Sequence, residues 1–440
     1  MQDYFNTLVE SIPSMLQAEH EFTAWFEAEV SDFVRFNQGK VRQPGSVTQA
    51  YLDLRVVKGK KQNLRRLCLS GQKIDDLALM RHELQQMSDL LPQLEDDPHL
   101  LLATQSNSNE NSVERRLCDS SEIVDSIVKA VEGVDFVGIY AGGDIFRGFA
   151  NSFGQRNWFS TANYNLDFSL YYANDKAVKA SLAGFEWKSE AFQRKLEASQ
   201  EQLRTLQKPA KTIEAGDYRV YLAPAAVEEL LQLISWGGFG LASHRTKQTP
   251  LLKMLTADEC LHTDISIVEN TRSGASPCFQ AQGFMRPDEI SLIHRGKLAQ
   301  TLNAPRSSME YGVDTNGANA AEVPESLEMA AGDLGTDEIY NSLGTGLLIN
   351  NLWYLNYSDR SGGRITGMTR FATLWVEDGQ VQSPVNVMRF DDTVYAMLGK
   401  KLAAITRDRD FMMSTSTYGS RSTSSCHVPG ILLEGLTLTL

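Results

Sequence analysis

The seven histidines and five cysteines that could supply imidazole or thiolate to a transition metal are scattered through this 440-residue sequence. A zinc peptidase needs two histidines on one helical face, with a glutamate beside the first to take a proton from the metal-bound water. The His-Glu pair His82-Glu83 in "RHELQQM" lacks the second imidazole, since Gln86 and Met87 occupy the two positions where it would fall, and His20-Glu21 fails likewise, with Ala24 and Trp25 there. His82 and Glu83 therefore read as the polar face of a helix. His20, His99, His244, His262, His294 and His427 stand singly. Cys426 and His427 are adjacent, and neighbours on a strand point to opposite faces, so core packing suits Cys426 better than joint ligation. Cys426 and His262 remain as weak metal candidates, with His244 a third scattered ligand if the chain held metal by itself. No Gly-x-Ser-x-Gly nucleophile elbow occurs.

Two glycine-rich stretches carry the remaining chemistry. In "AAVEELLQLISWGGFGLASHRT", residues 225–246, an amphipathic helix runs into Gly237, Gly238 and Gly240. A phosphate cradle requires strand, glycines and then helix, whereas here the helix comes first, which predicts a left-handed helix stop. In "RSGGRITGMTRFATLWVEDGQ", residues 360–380, glycines allow close backbone approach, and Thr369 and Arg370 supply a hydroxyl and a guanidinium. Two readings stand for this loop. Gly367, Thr369 and Arg370, together with His244, are candidate peptide contacts; alternatively, the segment is a hairpin in which Arg370 pairs with Glu377 or Asp378.

Helices and strands must position these groups. "YFNTLVESIPSMLQ", "QKIDDLALMRHELQQMSDLLPQL", "SSEIVDSIVKAVEG" and "SEAFQRKLEASQEQLRTLQ" have helical character. "AEVSDFVRFNQGKVRQPG" predicts two strands joined at Asn37-Gln38-Gly39, followed by a separate strand "TQAYLDLRVV". "DFVGIYAGG" and "NWFSTANYNLDFSLYYAND" predict further strands, and "ATQSNSNENSVERR" a loop. After "KPAKTIEAGD", residues 208–217, glycine and short strands dominate: "DISIVEN", "EISLIHRGKLAQTL", "GLLINNLWYLNYSD", "TRFATLWVEDGQVQSPV" and "ILLEGLTLTL". The expected fold is α+β, with an α/β N-terminal domain over residues 1–210 and a larger, mixed, strand-rich C-terminal domain over 211–440.

Composition narrows the partners. A net charge of −13 with no long Lys/Arg run argues against nucleic acid. No apolar run reaches the roughly 18 residues of a membrane span, and the start lacks a signal-peptide core, so a cytoplasmic protein is expected. The cysteines, at 68, 118, 260, 278 and 426, are odd in number and form no C-x-x-C pair, which points to neither a disulfide framework nor a zinc ribbon.

An ordered set of segments resembles the TldD/PmbA family of peptide-maturation and gyrase-modulator proteins, which is related to zinc metallopeptidases. "VRFNQGKVRQ", "GIYAGGDIFRGFANSFG", "GDYRVYLAPAAVEELLQLIS", "VDTNGANA", "LGTGLLINNLWYLNYSD", "GRITGMTR", "LWVEDGQVQSPV" and "CHVPGILLEGLTL" follow in the family's order. In its catalytic branch the helix after the proline carries an HExxxH zinc motif, completed by a late cysteine. That motif would fall here on Gln232, Leu233 and Gly237, none of which supplies an imidazole or the general base, while Cys426 stands near the late cysteine. The resemblance is therefore to the metal-free PmbA (TldE) branch. It implies a subunit without its own cofactor, partnering a TldD-like, HExxxH-bearing homologue that holds the zinc, or else pairing with itself, with unfolded or modified peptides as substrate. An active metallopeptidase with non-standard ligands and a stand-alone peptide-binding protein are the alternatives.

Overall fold

The computed structural model describes residues 1–172 and 176–439. Among these, two sheets follow one another along the chain. The first contains β1 (Glu21–Asn37), β2 (Lys40–Lys58), β3 (Lys61–Leu69), β4 (Asn109–Ser112), β5 (Phe136–Asn151), β6 (Arg156–Tyr172) and β7 (Lys176–Gly184). Its order is β3-β2-β1-β5-β6, with β4 and β7 both on β6, and every pairing is antiparallel except β4–β6. The last three residues of the expected strand "NWFSTANYNLDFSLYYAND", 173–175, lie outside the described residues.

The β1–β2 turn follows from its residues. Gln38 and Gly39 both have positive φ, at 52° and 69°, between the paired Asn37 and Lys40, as a two-residue primed turn requires. The expected break after Pro44-Gly45 does not occur: β2 is continuous, with a bulge opposite Arg35/Phe36. Proline is tolerated because β3 pairs only with residues 50–58, leaving the segment around Pro44 on an open edge where its missing N–H costs no ladder bond.

Period-two alternation gives this sheet two different faces. Even-numbered residues such as Phe22, Phe26, Trp158, Tyr164, Leu166 and Phe168 are buried under helices α1 (Gln2–Ser11), α2 (Lys73–Leu90), α3 (Ser120–Ala130) and α4 (Ser189–Leu206). Odd-numbered ones, Trp25, Glu27, Glu29, Arg147, Phe149, Phe159 and Asn163, face segments from the second half of the chain. Phe279 packs with Trp25, Phe149 and Phe159 there.

The second sheet contains β8 (Gly216–Leu222), β9 (Ile267–Asn270), β10 (Glu289–His294), β11 (Lys297–Leu298), β12 (Ser326–Met329), β13 (Gly346–Asp359), β14 (Arg364–Glu377), β15 (Gln380–Pro384), β16 (Arg389–Thr393), β17 (Leu402–Met413) and β18 (Ser425–Leu438). Strands β18, β16, β14, β13 and β8 pair in turn, and β8 pairs again with β18, closing a ring. On one side α5 (Pro224–Gly238) buries Ala226, Val227, Leu230, Leu231 and Ile234 in the main core. On the other, Leu206 of α4 and Ile339 and Leu343 of α9 (Ile339–Leu343) pack with Tyr221, Leu348, Leu374 and Leu432. Three short helices, α6 (Leu241–Arg245), α7 (Leu252–Thr256) and α8 (Pro305–Tyr311), fill the connections.

The halves are pinned by Arg421. Its buried guanidinium reaches the odd face of the first sheet, donating to Ser31 Oγ and Gly143 O at 3.3 Å and to Asn163 O at 2.8 Å.

Candidate functional site

Helix α5 begins as its sequence demands. Pro224 stands at the first helical position, where a missing N–H is harmless, and the apolar residues that follow recur at helical spacing. This leaves Glu228, Glu229 and Gln232 on the flank. Glu228 and Gln232, one turn apart, border a cavity of about 310 Å³ with Trp236, Pro324, Met412 and Cys426. Cys426 arrives on β18, registered between Leu327 of β12 and Met412 of β17.

The electrostatics follow from burial. Desolvation pushes the Glu228 carboxyl up to about 7, against the opposing effect of a hydrogen bond from Gln232 Nε2 to its Oε1. Glu229 is pushed up to about 7 in the same way, although its Oε2 accepts the Leu352 N–H at 2.6 Å. Burial also raises the Cys426 thiol, and the nearby Glu228 adds to that shift. The cavity thus holds a neutral amide, a thiol held away from its thiolate form and a carboxyl that favours its proton. That donor set does not suit zinc, which takes thiolate, imidazole and carboxylate. Among the described residues no three His, Cys, Asp or Glu side chains gather at ligating distance.

The three positions expected to coincide with a lost motif separate in space. Gln232 lines the cavity, Leu233 packs partly buried against the core, and Gly237 lies past the last regular turn with φ 79°. Nor do the scattered ligands converge. His244 Nε2 meets the Gly238 carbonyl at 2.7 Å, and burial lowers its pKa, so it acts as a neutral donor. His262 Nδ1 stands 3.5 Å from Asp264, and only Cys426 of the three borders the cavity.

The end of α5 is built to stop. Tyr357 Oη donates to Leu233 O at 2.9 Å, Arg360 Nη2 to Trp236 O at 2.6 Å and His244 to Gly238 O, so three carbonyls left over by the helix find partners. Arg360 also lies 4.6 Å over the Trp236 ring.

The segment around Gly367 is a strand interior, which corrects its reading as a loop. Residues 364–377 form β14, between β13 and β16. Gly367 is glycine because a Cβ would stand 2.7 Å from the Phe390 ring. Thr369 is fully buried, and its Oγ1 accepts the Met388 N–H at 3.1 Å. Arg370 is exposed and pairs with neither Glu377 nor Asp378. Its guanidinium lies 5.3 Å from the Trp353 ring centroid, while Glu377 accepts from Trp375 Nε1 at 3.3 Å. Around it, Trp353, Tyr354 and Met368 are exposed, Tyr354 at 77%.

Glu228 and Glu229 were not singled out by sequence reasoning. The available signal was the four-residue spacing of Glu228 and Gln232 on a helix with a late cysteine; the residues that desolvate them lie far along the chain.

Residues 215–440 match the family model described as the PmbA/TldA metallopeptidase C-terminal domain. No curated protein matches the sequence. Among solved structures, TldE from Thermococcus kodakarensis superposes with a TM-score of 0.78 at 13% identity, covering 99% of this chain and 100% of that one. A protein described as a candidate modulator of a DNA gyrase from Thermotoga maritima gives 0.76 at 15% identity, with 99% of each chain covered. A similarly described protein from Bacteroides thetaiotaomicron gives 0.73 at 16% identity, covering 99% and 98%.

Proposed function

We propose, from the premise that this chain belongs to the PmbA/TldA metallopeptidase family, that it is a TldE-like subunit of a two-component zinc peptidase acting on unfolded or modified peptides. The chain provides framework and peptide contacts. A homologue with an intact HExxxH helix provides the zinc and the general base. The observation that carries this reading is the α5 cavity, where Glu228, Gln232 and Cys426 stand together in a TldE-like fold without an imidazole or a ready thiolate. Such a site cannot activate water by the zinc route.

Assembly is supported by the β13–β14 hairpin, whose exposed Trp353, Tyr354, Met368 and Arg370 have the aromatic and arginine composition of interface hot spots.

The test is co-expression with an HExxxH-bearing homologue from the same genome. A stable one-to-one complex with peptidase activity that neither chain has alone, and no stoichiometric zinc on this chain after dialysis, is the expected result. One tightly held zinc per chain would favour an enzyme in its own right. A fully active partner that forms no complex at micromolar concentration would leave this chain as a stand-alone peptide binder.

A further inference from the structure

Between the odd face of the first sheet and the loops of the second half lies a cleft of about 530 Å³, bordered by Trp25, Glu27, Arg55, Arg147, Phe279 and Gln280, among others. It is separate from the α5 cavity, with which it shares only Ser424 at its border.

Arg147 is its unusual member. Only 8% exposed, it stands on β5 directly across from Glu27 on β1. Of its five N–H donors, one is used among the described residues: Nη1 donates to the Phe146 carbonyl at 2.9 Å. Glu27 does not complete the fork, since its Oε1 lies 3.8 Å from Arg147 Nε, while its Oε2 is taken by Arg66 Nη2 at 2.5 Å. The other carboxylate at this border, Glu325, is held by Arg286 at 2.6 Å. A second guanidinium, Arg55, has a buried Nε without a hydrogen-bond partner. Burial lowers the pKa of both arginines, against the opposing pull of Glu27, Glu29 and Glu325 on Arg147 and of Asp97 on Arg55. Beside them Trp25 and Phe279 meet edge-to-face at 5.8 Å and offer an apolar wall.

A planar guanidinium with a free edge selects an oxyanion with two parallel oxygens, and the aromatic wall selects an apolar group beside it. We propose that this cleft binds the free C-terminal carboxylate of a peptide, with Arg147 as its main receptor, Arg55 in support and the terminal side chain against Trp25 and Phe279. This rests on the peptide-handling role proposed above. It goes beyond it by naming the end of the peptide that is recognised and a site remote from α5.

The experiment is a fluorescence-anisotropy titration of the purified chain with one unstructured, N-terminally labelled peptide ending in Leu-Phe, prepared as the free acid and as the C-terminal amide. The free acid should bind about 10- to 100-fold more tightly, the worth of a charge-assisted bidentate contact. Arg147→Met should remove that preference, and Arg147→Lys, which keeps charge but loses the fork, should retain part of it. If Arg147→Met does not fold by thermal melt, Arg55→Gln serves instead and should narrow the gap, whereas Phe279→Ala should weaken acid and amide alike. Equal affinity for acid and amide in the wild-type chain, or binding of neither, overturns the proposal. Repeating the comparison with the co-expressed complex separates the two readings: cleavage indifferent to the terminus rejects the carboxylate site but keeps the two-component role, whereas an acid preference with no complex does the reverse.

Discussion

Glu228 and Glu229 carry a pH dependence that tests the site residue by residue. Each carboxyl moves from an ordinary 4.5 to about 7 because the folded chain desolvates it. Below pH 4.5 both are protonated whether the chain is folded or not, and they contribute nothing. Between 4.5 and 7 the folded state keeps protons that the unfolded state has released, so stability falls as pH rises, and above 7 the whole cost is present. For one such group the ceiling is about 3 kcal/mol, and solvent at the cavity mouth reduces this to on the order of 1 kcal/mol. Glu228→Gln keeps the shape and removes the titration. Urea melts should therefore show the variant more stable than wild type at pH 8 and level with it at pH 4.5; an equal difference at both would reject the desolvation account. None of this was legible in the sequence, because the groups that bury Glu228 include Met412 and Cys426, which lie far along the chain. Missing imidazoles at 232 and 237, in contrast, could be read directly, since a motif confined to one helix needs no tertiary structure to be seen broken. Gly367 and Thr369 left a loop and a hairpin reading open for the opposite reason: the approach of Phe390 and Met388, which turns them inward, is not visible in their types.

At the scale of elements, the stop of α5 was legible in kind but not in means. Three glycines after a helix announce a left-handed end. That the carbonyls would be met by Tyr357 of β13 and by Arg360 just after it, more than a hundred residues later, could not be read from the helix. The arrangement predicts a non-additive pair. Gly237→Ala places a Cβ at φ 79° and against the Arg360 guanidinium, costing about 1–2 kcal/mol of conformational strain plus the displacement of Arg360. Arg360→Ala alone forfeits a carbonyl cap and the stacking on Trp236. Because the glycine variant already displaces the arginine, the double variant should lose less stability than the sum of the singles, by about 0.5 kcal/mol or more in a double-mutant cycle on thermal melts. Strict additivity would mean that Arg360 is not what holds the helix end. Strands were readable where alternation and turn residues agreed, as at β1–β2 and β13. β17 escaped because its run Arg407-Asp408-Arg409-Asp410 is all charge, accommodated by an irregularity in its pairing with β18 between Ile405 and Arg409.

The whole molecule is organised by a division between faces. The even face of the first sheet is closed by its own helices, the odd face by loops from the second half with Arg421 buried among them, and the strand ring is covered by α5 on one side and by α4 and α9 on the other. These layers leave uncovered the middle of the β13–β14 hairpin, around the Trp353–Met368 pair. Tyr354 and Phe371 there take positive φ, 53° and 58°, at irregular points of the strand pairing, conformations that bulky side chains adopt only under constraint. Trp353 meets Phe371 edge-on at 6.3 Å and lies under Arg370, while Tyr354 projects into solvent. Apolar surface held out in this way costs solubility unless it meets another surface. If it meets the zinc-bearing homologue, Trp353→Ala combined with Tyr354→Ala should weaken the complex by at least about 2 kcal/mol, roughly thirtyfold in Kd, because central aromatic anchors dominate such interfaces. The melting temperature of the isolated chain should fall only modestly, since Tyr354 is largely exposed and Trp353, at 38% exposure, packs chiefly on Phe371 and Arg370 at the surface. Size exclusion of the co-expressed pair across a dilution series, beside melts of the single chain, reads both quantities. An unchanged complex would place the interface elsewhere on the molecule, and a steeply lowered melting temperature with intact assembly would make the hairpin a structural element of this chain alone.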